Sequence, residues 1–326
     1  MIAGDALLPT PDAQPVVVAG RYELGPVIGL GSSAVVRRGR DLHDGEPVAV
    51  KMFRPGASEY ERRQLHQELA TLATLEHPGL IGLHDGGTDG GRPFVVTDLV
   101  EGPTLAERLQ EGPLSVDEVR MLGAQLADAL GHVHAAGFVH RDIKPGNVLL
   151  EAGHRPKLAD FGIARALEST AATTEGCVVG TAAYLAPEQV RGEPVGPPTD
   201  VYALGLLLLE ALTGRREYPG KPVESATARL FRRPQIPDGL PTHLAELLVE
   251  MTRDDPADRP PAADVARRLA RRPAAELVAG VARRPGWGRH RRSAEPGRPR
   301  LGRRPVGSML LTLAMIAAAC AVFMLV

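Results

Sequence analysis

Gly29-Leu30-Gly31-Ser32-Ser33-Ala34-Val35-Val36 places two glycines between apolar stretches. Glycine there lets backbone N–H groups approach a phosphate closely. An ordinary hairpin turn has the same composition, so this run alone leaves both readings open. It is not a Walker loop, because no Gly-Lys-Ser/Thr follows. Lys51 closes the run Val48-Ala49-Val50-Lys51, and it is one of only four lysines among 38 Lys and Arg residues. A lysine kept where arginine is the default cation points to a need for a compact ammonium. An ion pair with Glu68 would hold Lys51 toward a nucleotide. A solvated glutamate on an amphipathic helix is the plainer alternative. Further on, His140-Arg141-Asp142-Ile143-Lys144-Pro145-Gly146-Asn147 and Asp160-Phe161-Gly162 crowd two carboxylates, a carboxamide and a second lysine into a short stretch.

These residues need elements to hold them. Residues 21–27 read as a short strand, with a second apolar stretch after the glycines. Val48 to Lys51 alternates, so Lys51 should project opposite Val50 on a strand. Residues 61–75 carry Leu65, Leu69, Leu72 and Leu75 at helical spacing. A long helical stretch leads into His140. Val148-Leu149-Leu150 and Lys157-Leu158-Ala159 read as short strands on either side of a turn. With 326 residues and 44% hydrophobic content, the chain can bury a core without staples, in one or two domains. Its two cysteines, Cys177 and Cys320, exclude a disulfide scaffold and a cysteine-rich zinc module. No internal repeat is visible.

Ala186-Pro187-Glu188 follows, beginning 26 residues after Asp160. In this order and spacing, the motifs over about residues 21–270 resemble the eukaryotic-like (Hanks-type) serine/threonine protein kinases of bacteria. The resemblance implies an α+β, bilobal fold: a small β-rich lobe with one helix, then a larger helical lobe, with ATP between them. It implies that Asp142 accepts and orients a substrate hydroxyl, while Lys144 neutralises the γ-phosphate. Asn147 and Asp160 would be hard oxygen ligands for Mg²⁺, or Mn²⁺ in its place. Lys51, anchored by Glu68, would bind the α/β-phosphates under Gly29 and Gly31. Ile28, Val36 and Ala49 would complete the ATP site. The family loop's third glycine is Ala34 here, which bears on loop flexibility.

By the same resemblance, Thr97 is the gatekeeper, and adenine bonds to backbone groups near Asp98 and Val100. His140 packs near Phe161 in a column with Leu72 and Leu83, and Gly162 follows. Asp200 braces the catalytic loop, and Arg259 pairs with Glu188. Lys144-Pro145, and Thr181 contacting Asp142 and Lys144, point to Ser/Thr acceptors on proteins. Arg141 would meet a phosphorylated activation loop, with autophosphorylation in trans expected on Thr173 or Thr174. A Thr-rich loop without modification is the alternative. Cys177, in that loop, reads as an idle small residue. A pseudokinase would lack Lys51, Asp142, Asn147 or Asp160, and all are present. A small-molecule phosphotransferase of this fold would lack the segment from Thr181 to Glu188. Resembling kinases often dimerise, so a homodimer is a compatible assembly.

The net charge of −1 hides three regions. Residues 271–304 hold eleven Arg and two acids, a net of +9; residues 1–270 hold 27 basic and 37 acidic groups, a net of −10. Residues 306–326 are uncharged. The 18 residues from Met309 would span about 27 Å as a helix, against a hydrocarbon core of about 30 Å. A transmembrane helix over 306–326 is the expectation, and a buried core helix is the alternative. The Arg/Pro-rich linker, residues 271–305, would keep the kinase domain, residues 21–270, on the cytoplasmic side of the cell membrane. It reads either as a contact for anionic lipid or as a solvated flank. Nucleic acid is not expected as a partner, since Trp287 is the linker's only aromatic residue. Residues 1–20 lack a signal-peptide pattern and read as a flexible leader.

Overall fold

The computed structural model describes residues 15–31, 34–55, 69, 73–153, 155–160 and 181–271. The chain divides into a unit over Met1–Pro273 and another over Ala274–Val326, and every described residue belongs to the first.

Six strands form one antiparallel sheet: β1 (Val17–Val18), β2 (Tyr22–Leu30), β3 (Ala34–Asp41), β4 (Pro47–Phe53), β5 (Leu83–Asp89) and β6 (Arg92–Asp98). Their order is β1-β2-β3-β4-β6-β5. Gly90 and Gly91, with φ of 53° and 78°, make the left-handed turn that a two-residue hairpin requires between β5 and β6. Along β4 the faces alternate. Val48 and Val50 pack with Val18, Tyr22, Phe94 and Val96, whereas Phe53 packs with Ala34, Leu69 and Val95 on the other face.

Two sequence expectations change here. The leader is shorter than residues 1–20, because Val17 and Val18 pair with Glu23 and Tyr22 and Val18 is buried. Two β-branched residues before a left-handed Ala19-Gly20 turn make a small hairpin at the foot of the sheet. The strand expected over 21–27 runs on to Leu30, with register shifts between Leu24 and Val27 and between Val27 and Gly29. The first glycine of the loop is thus inside a strand, and the turn closes where Gly31 N–H donates to Ala34 O at 2.9 Å.

Beyond the sheet the chain is helical: α1 (Leu105–Gln110), α2 (Val116–Ala135), α3 (Pro187–Arg191), α4 (Pro197–Thr213), α5 (Pro222–Ala228), α6 (Thr242–Met251) and α7 (Ala262–Ala270). Thr104 with Glu107, and Ser115 with Glu118, form capping boxes that satisfy the first N–H groups of α1 and α2. Paired prolines open α4 and the left-handed Gly214 ends it. Nearly every residue from Thr199 to Ala211 is buried, so α4 is apolar all round and forms the centre of the core. Helix α2 approaches it closely at Gly123, where a Cβ would lie 3.0 Å from Leu208 and 2.8 Å from Leu269 of α7. Each fully buried leucine of this core, such as Leu126, Leu204 or Leu248, is worth about 1.5–3 kcal/mol of burial. A separate hairpin, β7 (Val148–Glu151) with β8 (Arg155–Leu158), lies beside it.

Of the helix expected over 61–75, Leu69 is helical and buried, but residues 73–75 are turn and irregular chain after Ala73 N–H donates to Leu69 O at 2.9 Å, so it ends short of Leu75; the remainder lies outside the described residues. No helix among the described residues is long and apolar enough to cross a membrane. The expected span over 306–326 and all of the linker except Arg271 lie outside them.

Candidate active site

Sheet register brings residues expected beside a nucleotide to one face. Gly29 faces Val36, Val36 faces Lys51, and Ala49 faces Thr97 across the strands. Paired residues share a face, and so do Ala49 and Lys51, two apart on β4. Val36, Ala49, Lys51 and Thr97 therefore line one surface. Ile28 sits in the register shift beside Gly29 and is half-exposed. Lys51 Nζ donates to Asp160 Oδ1 at 2.6 Å. Glu68, the anchor expected for Lys51, lies outside the described residues.

The segment from His140 to Asn147 is held from below by Asp200, in the first turn of α4. Its buried carboxylate accepts His140 N–H at 2.7 Å and Arg141 N–H at 2.8 Å, and meets His134 Nε2 at 2.9 Å. These bonds hold Arg141 at a φ of 67°, a left-handed conformation uncommon for a side-chain-bearing residue. A 3-10 turn, Pro145–Asn147, then leads directly into β7. Within it, Asp142 Oδ2 accepts from Lys144 Nζ at 2.8 Å and from Asn147 Nδ2 at 2.9 Å. Asn147 Nδ2 also donates to the Asp142 carbonyl at 2.8 Å. Asp142 Oδ1 is buried and has no hydrogen-bond partner among the described residues. Burial pushes the Asp142 carboxyl up, but the Lys144 charge and the bonds from Lys144 and Asn147 outweigh it, and the net direction is down. The group is a carboxylate at neutral pH.

His140 links this segment to Asp160. Its Nε2 meets the Ala159 carbonyl at 3.1 Å, and its Nδ1 accepts from Asp142 N–H at 3.3 Å. That pattern assigns the neutral ring with its proton on Nε2. Burial lowers the ring's pKa against the pull of Asp200 and Asp142. Ala159 N–H donates to Asn147 O at 2.8 Å, so Asp160 is set beside Asn147 at a φ of 57°.

Two further supports frame the site. Thr97 Oγ1 donates to Asp98 O at 3.3 Å, and Asp98 N–H donates to Gly82 O at 3.0 Å. The Asp98 carboxylate accepts Gly82 N–H at 2.9 Å and meets His84 Nε2 at 2.8 Å. On the helical side, Arg259 makes a two-pronged bond to Glu188, at 2.7 and 2.9 Å, with both side chains buried. Thr199 Oγ1 donates to the same carboxylate at 2.7 Å. Burial pushes Glu188 up, yet its bonds to Arg259 and Thr199 hold it below the usual range.

The pattern of the family described as "Protein kinase domain" matches residues 22–269. The chain belongs to the protein kinase family. Its kinase domain is 38% identical over 247 residues to the serine/threonine-protein kinase PknL of Mycobacterium tuberculosis, a match covering 73% of this chain and 62% of that protein. It is 36% identical over 255 residues to PknA of M. tuberculosis, covering 75% and 59%. It is 34% identical over 258 residues to PknB of Mycobacterium leprae, covering 75% and 42%. The matched part thus spans about two-fifths to three-fifths of these relatives' own lengths.

The donor set of the kinase domain fits a phosphate-bound Mg²⁺. Among the described residues no group of three or more His, Cys, Asp or Glu side chains is arranged to hold a metal. Mg²⁺ on a nucleotide needs only one or two protein ligands, the rest being phosphate and water oxygens. Asp160 supplies a carboxylate, and Asn147, whose Nδ2 turns to Asp142, presents its amide oxygen elsewhere.

Most of the predicted site residues fall into this one constellation. Phe161, Gly162, Thr173 and Thr174 lie outside the described residues, as do Leu72 and Cys177. Thr181 opens a 3-10 turn, Thr181–Tyr184. Asp98, expected for its backbone, also bonds Gly82 and His84 through its side chain. His134, His84 and Thr199 escaped sequence reasoning, because nothing local marks a histidine or threonine whose partner is 14 or more residues away, or stands in another helix.

Proposed function

We propose that this kinase domain transfers the γ-phosphoryl group of ATP to serine or threonine hydroxyls of proteins. The observation that carries it is the Asp142 carboxylate. It is charged, its Oδ2 is held by Lys144 and Asn147, and its buried Oδ1 has no partner among the described residues. A substrate hydroxyl that reaches this oxygen as the site opens would supply the donor it lacks. The hydroxyl oxygen bonds to the γ-phosphorus as the bond to the β–γ bridging oxygen breaks. The proton passes to Asp142, and ADP leaves with the electron pair. Lys144 neutralises charge on the transferred group, and Lys51 holds the remaining phosphates. Asn147 and Asp160 would hold Mg²⁺, which supplies further charge neutralisation when bound. The Asp98 carbonyl and the Val100 N–H are the hinge groups for the adenine edge, beside the small Thr97. The relatives described above are all named serine/threonine-protein kinases, which supports the choice of acceptor.

The same reading extends to autophosphorylation in trans on Thr173 or Thr174, with Arg141 receiving the phosphate. It also extends to residence at the cytoplasmic face of a membrane, through residues 271–326. Radiolabelled γ-phosphate transfer to a protein acceptor tests the activity. Asp142→Asn should lower it by about 100- to 10,000-fold, and acid hydrolysis of the product should return phosphoserine or phosphothreonine. A wild-type chain that transfers nothing overturns the proposal. Loop phosphate persisting in purified Asp142→Asn protein, detected by mass spectrometry, sinks autophosphorylation alone.

A further inference from the structure

We propose that Arg229 is a positioning residue for the protein acceptor: it fixes the shape of residues 182–188 beside the catalytic loop. This rests on the kinase activity proposed above. Arg229 caps the C-terminus of α5 and is 1% exposed. Its guanidinium donates to the carbonyl of Leu185 and, at 2.6 Å, to that of Ala182. It also donates to Ser225 O at 2.7 Å and, through Nε, to Ala226 O at 3.0 Å. One side chain thus ties the end of α5 to two carbonyls of the segment running from Thr181 to Glu188.

The guanidinium also lies over the Tyr218 ring, 4.7 Å from its centroid. Tyr218 is itself fixed, since its hydroxyl donates to Arg232 O at 2.9 Å and Ser225 Oγ donates to its carbonyl at 2.6 Å. Burying a guanidinium is costly unless its donors are used. An apolar side chain would serve packing alone. The forked donors serve something more specific, the simultaneous capture of carbonyls from two elements.

The other end of the segment is held at Glu188 by Arg259 and Thr199. Thr199 is the chain neighbour of Asp200, which holds the backbone of His140 and Arg141. The segment is therefore gripped at both ends, and one grip adjoins the loop carrying Asp142. The four carbonyls and the Tyr218 ring all belong to the helical region, whereas Lys51 and the hinge belong to the sheet. Loosening Arg229 should disturb the acceptor side and spare the nucleotide side.

Steady-state phosphate transfer by the full chain separates the two sides. Wild type, Arg229→Lys and Arg229→Met are compared with myelin basic protein and ATP varied in turn. Arg229→Met should raise the acceptor KM about tenfold or more and leave the ATP KM within about twofold. Arg229→Lys, with one charged donor left, should fall between. An unchanged acceptor KM, or an ATP KM that rises in parallel, overturns the proposal. Should Arg229→Met fail to fold, Arg229→Lys decides by the same two constants. If wild type phosphorylates no protein, the kinase activity fails and the positioning role with it. If wild type is active and the variants match it, only the positioning role fails.

Discussion

Asp142 presents two oxygens in different surroundings. Oδ2 takes bonds from Lys144 and Asn147, and Oδ1 takes none among the described residues. The charge that holds the first oxygen keeps the whole group ionised despite burial. Lys144→Met removes the strongest force opposing burial, so the Asp142 pKa should rise. The acid limb of the kcat/KM profile should then move to higher pH, with kcat down about 100-fold at neutral pH. A limb that stays in place would separate Lys144 from Asp142. His140 gives a second pH signature. Its folded pKa lies below the ordinary 6.5, so the folded state binds fewer protons than the unfolded state. The stability it contributes is full above 6.5 and is lost as pH falls from there toward the folded pKa. Urea titrations should show a loss of about 1.4 kcal/mol per pH unit in that window. His140→Gln should flatten the slope, and an unchanged slope assigns it to other groups.

At the scale of elements, the first turn of α4 is a shared foundation. Thr199 there holds Glu188, and Asp200 holds the backbone of His140 and Arg141. Arg259 closes the arrangement, lying over the Tyr202 ring at 4.9 Å while it grips Glu188. Removing one partner of a buried pair strands the other charge, so Glu188→Gln or Arg259→Met alone should cost about 3–5 kcal/mol. The double variant should cost less than the sum, because neither charge is then left buried and unpaired. Urea denaturation of all four proteins measures the coupling. Strict additivity would mean that the two side chains act separately.

At the scale of the whole molecule, the acidic residues 1–270 and the basic residues after them meet close to a structural boundary. Helix α7 ends at Ala270, and the first compact unit ends at Pro273. Between them the Arg271 carbonyl accepts from the buried Arg120 at 2.5 Å, and Arg120 also reaches Leu269 O at 3.2 Å. Truncation after Pro273 therefore preserves a contact that truncation after Ala270 removes. Carbonate extraction should leave the full chain in the membrane pellet and the chain ending at Pro273 in the supernatant, with its activity retained. A full chain found in the supernatant would remove the membrane anchor from the proposed function.

Local chemistry was enough to read much of this protein. Four lysines among 34 arginines marked Lys51 and Lys144, and ordered motifs placed Asp142, Asn147 and Asp160 in one site. Alternation at Val48 to Lys51 implied the strand that presents Lys51, and the basic run begins where helix α7 ends. These features are legible because each lies within a few residues of chain. Strand β1 was hidden by the Pro- and Ala-rich residues before it, since a two-residue strand has no period of its own. Only tertiary structure brought Lys51 to Asp160, 109 residues apart, and His134 to Asp200, 66 apart. It alone revealed Arg229 as the tie between α5 and residues 182–185. An arginine in a basic sequence looks solvated, and only the packed fold, by surrounding it with carbonyls and excluding water, turns it into a clamp.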